Sequence, residues 1–430
     1  VAAVHLAAAP QAPALNRSAA HPLKEQETPM RVLMISWEYP PYLVGGIGTH
    51  VEELVPCLGG LPTSDGPLQI DVLTPHSGGG EAVQAINDFI TVYRVDVLPT
   101  DATDLYNSVV DNNTLLADFA LELADRHPYD LIHVHDWLTA EAGIRLKLAW
   151  KAPLIVTVHA TERGRHRGNL PSHTSQQIDH LEWRATFEAW RVIACSNYMC
   201  DEMAQYFGLP RDKMTVIPNG VRAPQPIPHD DEVLAQLRSR YSPNGEPLLF
   251  FVGRITPEKG VQVLVRAMPR ILASYPTARL LVAGKNSQKL YPLAYELGVE
   301  DNVDFLGYIS NEMRDALYAI VNAAIFPSLY EPFGIVALEA MASNCNVIAS
   351  NTGGLGEVVQ HEVNGLTTIA GDPLSIAWAV ERLLSDPQAA EQRRAVAAEQ
   401  VRTLYRWDAI STATAALYDE VMQARDAVEW

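Results

Sequence analysis

The chain has 430 residues, about three domain lengths, so two or three domains are expected. At 48% hydrophobic and 19% charged, with 26 Gly and 29 Pro, it is neither disordered, collagenous nor disulfide-stapled. Its 51 acidic and 32 basic side chains leave a net charge of −19, which repels phosphate backbones and anionic bilayers and argues against nucleic acid or a membrane surface as partner.

Residues 1–29 are rich in Ala, Pro and Gln and lack both an export and a transit pattern, so they read as a tail, with Met30 opening the folded unit. Short Val-, Ile- and Leu-rich runs then alternate with amphipathic stretches. Strands are expected at Arg31–Ser36, Gln69–Thr74, Asp130–His135, Leu154–His159, Arg191–Ser196 and Met214–Pro218. Helices are expected at Thr49–Leu58, Thr114–Arg126, Thr139–Trp150 and Tyr198–Phe207. This alternation implies βαβ units and a doubly wound parallel sheet.

Two features of this half carry chemistry. The first strand runs into Trp37–Gly48, where Gly45, Gly46 and Gly48 let backbone amides approach a phosphate at a helix start; a plain tight turn explains them equally well. The pattern is not GxGxxG, so no dinucleotide cofactor is indicated. His133, His135 and Asp136 end one strand and His159 ends the next, which favours a functional cluster over a lone structural histidine. A metal is the rival reading, but neither HExxH nor carboxylates at ligand spacing are present, and none is expected. The loop Glu162–Gly168 is locally basic and Gly-hinged, as a mobile loop over phosphate or acceptor would be.

Residues 222–247 break the rhythm with Pro and polar groups and mark the best boundary. A second series follows, with strands at Leu248–Gly253, Arg279–Ala283, Val303–Leu306, Ala324–Phe326, Asn346–Ala349 and Leu366–Ile369. We therefore expect a tail (1–29), a first doubly wound domain (30–225), a second one (226–405) and a final segment (406–430). Two such domains form a cleft at their strand C-terminal ends.

The second half holds the densest signals. Arg254 ends a strand and Lys259 opens a helix; a guanidinium fork beside a point charge suits a diphosphate, with a surface ion pair as the plain alternative. Pro327–Ala340 places Glu331 in a loop and Glu339 more than a turn inside a helix starting near Phe333. Phe333, Gly334 and Ile335 would present free amides there, and carboxylates suit ribose and sugar hydroxyls. In the plain alternative Glu331 caps the helix and Glu339 is exposed.

Arg254, Lys259, the Glu331–Glu339 pair with seven residues between, and the glycine loop together resemble a retaining nucleotide-sugar glycosyltransferase of GT-B type, family 4, near its glycogen- and starch-synthase-like members. The similarity runs from about Met30 to Trp407. It implies two Rossmann-like domains facing a cleft, with the last helix crossing back so that Ile410, Leu417, Tyr418 and Val421 pack on the first domain. Arg254 and Lys259 would then hold the donor diphosphate and Glu339 the ribose, while Glu331 faces the donor sugar. Phe333, Gly334 and Ile335 would offer amides, Gly46 would let its loop close, and His159 would flank the reacting carbon. The run His133–Trp137 is similar to the stretch bordering the acceptor channel, placing His135 and Asp136 on the acceptor side. Val44 stands where related bacterial glycogen synthases carry Lys, a departure that fits family 4 better.

The function implied is glucose transfer from ADP- or UDP-glucose to an α-glucan, with retention and without metal, since no Asp-x-Asp motif occurs. The alternatives are a small-molecule or cell-envelope acceptor, and a sugar-nucleotide binder without turnover. No cofactor, nucleic acid or membrane span is expected. Cys57, Cys195, Cys200 and Cys345 suit reduced thiols in a cytoplasmic protein, with a Cys195–Cys200 switch the weaker option.

Overall fold

The computed structural model describes residues 29–101, 103–126, 128–222 and 232–428. The tail at 1–28 and the expected boundary at 225/226 lie outside the described residues.

The first apolar run becomes β1 (Met30–Ile35), five of whose six residues are buried. In chain order β2 (Pro62–Thr63), β3 (Gly66–Pro75), β4 (Val83–Asn87), β5 (Ile90–Val95), β6 (Leu131–His135), β7 (Leu154–Val158), β8 (Arg191–Ala194) and β9 (Met214–Val216) complete a sheet. Its order is β4-β5-β3-β1-β6-β7-β8-β9, with β2 paired to β3. Every pair is parallel except β2–β3 and β4–β5. The sequence does not announce the hairpin β4–β5, because β4 is short and largely exposed. The helix expected at Thr114 begins earlier, at Leu105.

The second sheet consists of β10 (Leu248–Val252), β11 (Arg279–Ala283), β12 (Val303–Gly307), β13 (Ala323–Phe326), β14 (Val347–Ser350) and β15 (Leu366–Thr368), in the order β12-β11-β10-β13-β14-β15. All its pairs are parallel. In both sheets the order reverses beside the first strand, between β1 and β6 and between β10 and β13. Doubly wound sheets open their ligand crevices at such points, and the loops carrying the site residues leave the ends of β1, β6, β7, β10 and β13.

Helix Trp407–Asp426 returns to the first sheet, as expected. Its Ile410, Leu417, Tyr418 and Val421 share a core with Met30, Val32, Leu54 and Val72. The two chain crossings between the sheets touch: Val221 N–H donates to Tyr405 O at 2.9 Å. Gly220 lies so close to the Trp407 ring that a Cβ there would sit 2.5 Å from it.

Candidate active site

On the second sheet β10 ends in a short 3-10 turn, Pro257–Lys259, closed by Gly260 at φ 68°; helix Val261–Ser274 follows. Lys259 therefore stands in a turn and does not open the helix, as the sequence suggested. From there its Nζ meets Glu331 Oε2 at 2.7 Å, and Ser328 Oγ donates to the same oxygen at 3.2 Å. Arg254 is half exposed and turns to Glu258, 3.6 Å away, so the two expected diphosphate cations do not converge here. Lys259 is anchored by its neighbour. A Cβ on Gly260 would fall 1.9 Å from Pro327 O, a backbone atom, and φ there is left-handed. Gly260→Ala should therefore push the Lys259 turn away from the Glu331 loop, lowering stability by roughly 2–4 kcal/mol. Urea unfolding alongside transfer assays checks this, and wild-type behaviour in both would refute it.

The Glu331 loop is locked by backbone approach. Glu331 O accepts from Gly354 N–H at 3.0 Å, and Cβ atoms at Gly353 and Gly354 would lie 2.1 Å from Glu331 O and 2.0 Å from Pro332 O. The helix starts at Ile335, two residues later than expected, because Gly334 takes φ 106° as its N-cap. Phe333 is buried against Tyr405, with centroids 6.0 Å apart. Among the described residues the N–H groups of Phe333, Gly334 and Ile335 have no protein acceptor. Glu339 is neither exposed nor free: Arg314 Nη1 holds its Oε1 at 2.8 Å. Burial pushes its pKa up, while Arg314 pulls it back down.

The glycine loop departs from expectation. The N–H groups of Val44 and Gly45 donate to Glu38 Oε2 at 2.8 and 2.9 Å, so a carboxylate of the loop itself takes two amides of the stretch expected to face a phosphate. The next residue, Gly46, opens helix Gly46–Leu58. A Cβ on Gly46 would lie 3.7 Å from Ile335 Cδ1. The first residues of two helices, one from each domain, thus adjoin, with Glu331 beside the second, and a helix N-terminus favours an anion.

On the first sheet the strand-end histidines form one buried cluster. His135 Nδ1 and His159 Nε2 are 3.1 Å apart, so one donates to the other. His133 bonds Tyr418 Oη and Thr157 Oγ1, each at 2.7 Å. His50, unforeseen, joins them: Nδ1 meets Asn219 Oδ1 at 2.7 Å, and its ring lies 4.8 Å from that of His159. Burial pushes His50, His133 and His159 down to about 3, and His135 also falls well below the ordinary range. All four are neutral at working pH, so His159 offers a hydrogen bond and not a cation. Asp136, at φ 55°, accepts from His159 N–H at 2.6 Å; burial pushes it up to about 6, against the pull of Arg165. One ring nitrogen each from His50, His135 and His159 lies within 4.8 Å of the others, the grouping among the described residues that could hold a metal ion. Two of those rings, His135 and His159, are hydrogen-bonded to each other.

The loop expected to be free and basic is partly spoken for: Arg163 binds Asp179 at 2.5 Å and His166 binds Glu162 at 3.1 Å. Sequence reasoning also missed Glu38, whose partners lie in its own loop, and Arg314, Glu202 and Tyr330, which pair with residues remote in the chain.

Comparisons with known proteins identify the family. Residues 44–223 match the model described as Glycosyltransferase Family 4, and residues 235–401 match Glycosyl transferases group 1. An uncharacterised glycosyltransferase of Methanocaldococcus jannaschii is 36% identical over 403 residues, 92% of this chain and 99% of that one. The chain belongs to glycosyltransferase family 4. A glycogen synthase of Mycobacterium tuberculosis is 33% identical over 406 residues, covering 90% and 94% of the two family members. Sucrose-phosphate synthase from Thermosynechococcus elongatus superposes with TM-score 0.76 at 24% identity, over 92% of this glycosyltransferase and all of that chain, and so shares the GT-B fold. Among the described residues no helix is long and apolar enough to cross a membrane.

Proposed function

We propose that this glycosyltransferase moves glucose from ADP- or UDP-glucose to an α-glucan, with retention at the anomeric carbon. The observation carrying the donor half is the pair of adjoining helix starts, at Gly46 and Ile335, with Glu331 and its partner Lys259 beside the second. In a protein of net charge −19, such a local convergence is what captures a diphosphate. Arg254, released from Glu258, would add a second cation, and Glu339 would take ribose hydroxyls. The glucan half is supported by the likeness to a glycogen synthase and by the run His133–Trp137.

In this reading the acceptor oxygen attacks the anomeric carbon on the face from which the diphosphate leaves. The C–O bond to diphosphate breaks, the new glycosidic bond forms, and a departing phosphate oxygen takes the acceptor proton. Lys259 and the Phe333–Ile335 amides stabilise the leaving charge. Neutral His159 and the Asp136 carboxyl orient the sugar and shield it from water.

A panel of nucleotide-glucose donors against glycogen, maltooligosaccharides, sugar phosphates and inositol phosphates, with linkage analysis of products, tests the assignment. Elongation of glycogen by α-linked glucose is expected. Consumption of a small acceptor with no glucan extension would overturn the acceptor assignment.

A further inference from the structure

We infer that Glu202 is a positioning residue that holds the loop after His159 and the loop bearing Glu331 in register across the cleft. It lies in helix Asn197–Phe207 of the first domain and is 4% exposed. Its Oε1 accepts from Thr161 Oγ1 at 2.6 Å and from Tyr330 Oη at 2.9 Å. Its Oε2 accepts from Tyr198 Oη at 2.9 Å. Thr161 is two residues beyond His159, and Tyr330 immediately precedes Glu331. The triangle closes on itself, because Thr161 N–H donates to Tyr330 Oη at 3.3 Å. Gly164 permits this approach: a Cβ there would stand 2.5 Å from both Glu202 Oε1 and Tyr330 Oη.

The other side of Glu331 is tied to the same helix. Ser196 Oγ, at its N-cap, donates to Pro332 O at 2.7 Å. Glu357 of the second domain accepts from Asn197 N–H at 3.1 Å and Tyr198 N–H at 2.7 Å, a carboxylate placed where the helix dipole favours it. Both neighbours of Glu331 are thus fixed to a first-domain helix, and the Glu331–His159 relation is set by that helix, not by the second sheet alone. Opening the cleft must break the Tyr330–Glu202 bond, and closing it restores the working geometry. A carboxylate suits the node because three hydroxyls donate to it and it has only to accept.

The role in turnover rests on the proposed transfer reaction, and the test keeps the two separable. Tyr330→Phe removes one hydroxyl and leaves the packing. It should lower kcat about ten- to hundredfold, change donor KM by less than about threefold, and raise the fraction of donor hydrolysed without transfer. Glu202→Gln should behave alike, and the double variant should be no worse than the poorer single one, since both cut the same tie. A double variant whose loss is the product of the single losses, or a lowered melting temperature with unchanged kcat, overturns the inference. If wild-type protein transfers glucose to none of the acceptors, the proposed function fails instead. The tie is then judged by small-angle scattering, where a larger radius of gyration for Tyr330→Phe supports it and an unchanged one refutes it.

Discussion

Replacing Lys259 with alanine is expected to lower kcat/KM by about two to three orders of magnitude, the range for losing one preorganised group that stabilises leaving charge. Arg254 faces Glu258 and Arg163 is bound to Asp179, whereas Lys259, although paired with Glu331, stands beside the start of the helix at Ile335. Its removal also strands Glu331, whose side chain is 9% exposed, without a counter-charge. Breaking such a pair costs more than the pair contributes, because an unpaired carboxylate stays behind. Titration calorimetry with ADP and UDP should show affinity falling at least about a hundredfold, roughly 2.7 kcal/mol. Lys259→Arg should recover part of it, because charge returns without the same reach. Undiminished nucleotide affinity in the alanine variant would place the diphosphate elsewhere.

The second large effect is on stability in acid. His50, His133 and His159 are held at about 3 by burial, against roughly 6.5 in an unfolded chain. Below that value the unfolded state binds protons that the folded state refuses, so folding stability falls with falling pH. The loss is about 2 kcal/mol per imidazole by pH 5, and His135 acts in the same direction. Asp136, raised to about 6, opposes this with about 1 kcal/mol between pH 6 and 5, and Glu182, also pushed up by burial, opposes it too. The four imidazoles outweigh the two carboxyls, and a net loss of several kcal/mol is expected. Denaturant titrations at pH 7, 6 and 5 measure it directly; stability that is flat or rising toward pH 5 would mean the cluster takes up protons while folded.

The fold was legible because its signal is local. Most strands of the second sheet announce themselves as short apolar runs, since strands buried on both faces need no alternation. The exceptions are instructive: β4 is short and exposed, and helix His173–Glu188 carries too many charged and polar side chains to stand out. At the site, residue types at strand ends revealed Lys259, Glu331, His135 and His159. Pairing was not legible. Nothing near Glu339 in the chain announces Arg314, and nothing in the glycine loop says that Glu38 will take two of its amides. Glu202 was hidden for the same reason: its partners, Thr161 and Tyr330, lie 41 and 128 residues away.

The helix that returns to the first sheet makes that domain discontinuous in sequence. Its core is shared between residues 30–217 and residues 407–421, so the whole second sheet is an insertion within it. During synthesis the first segment emerges early but lacks one wall of its core until the insertion has been made. The second sheet, contiguous from 248 to 368, meets no such wait. The domain that begins the chain is therefore the last to be closed, and damage near residue 418 would be felt at β1, almost the entire length of the sequence away.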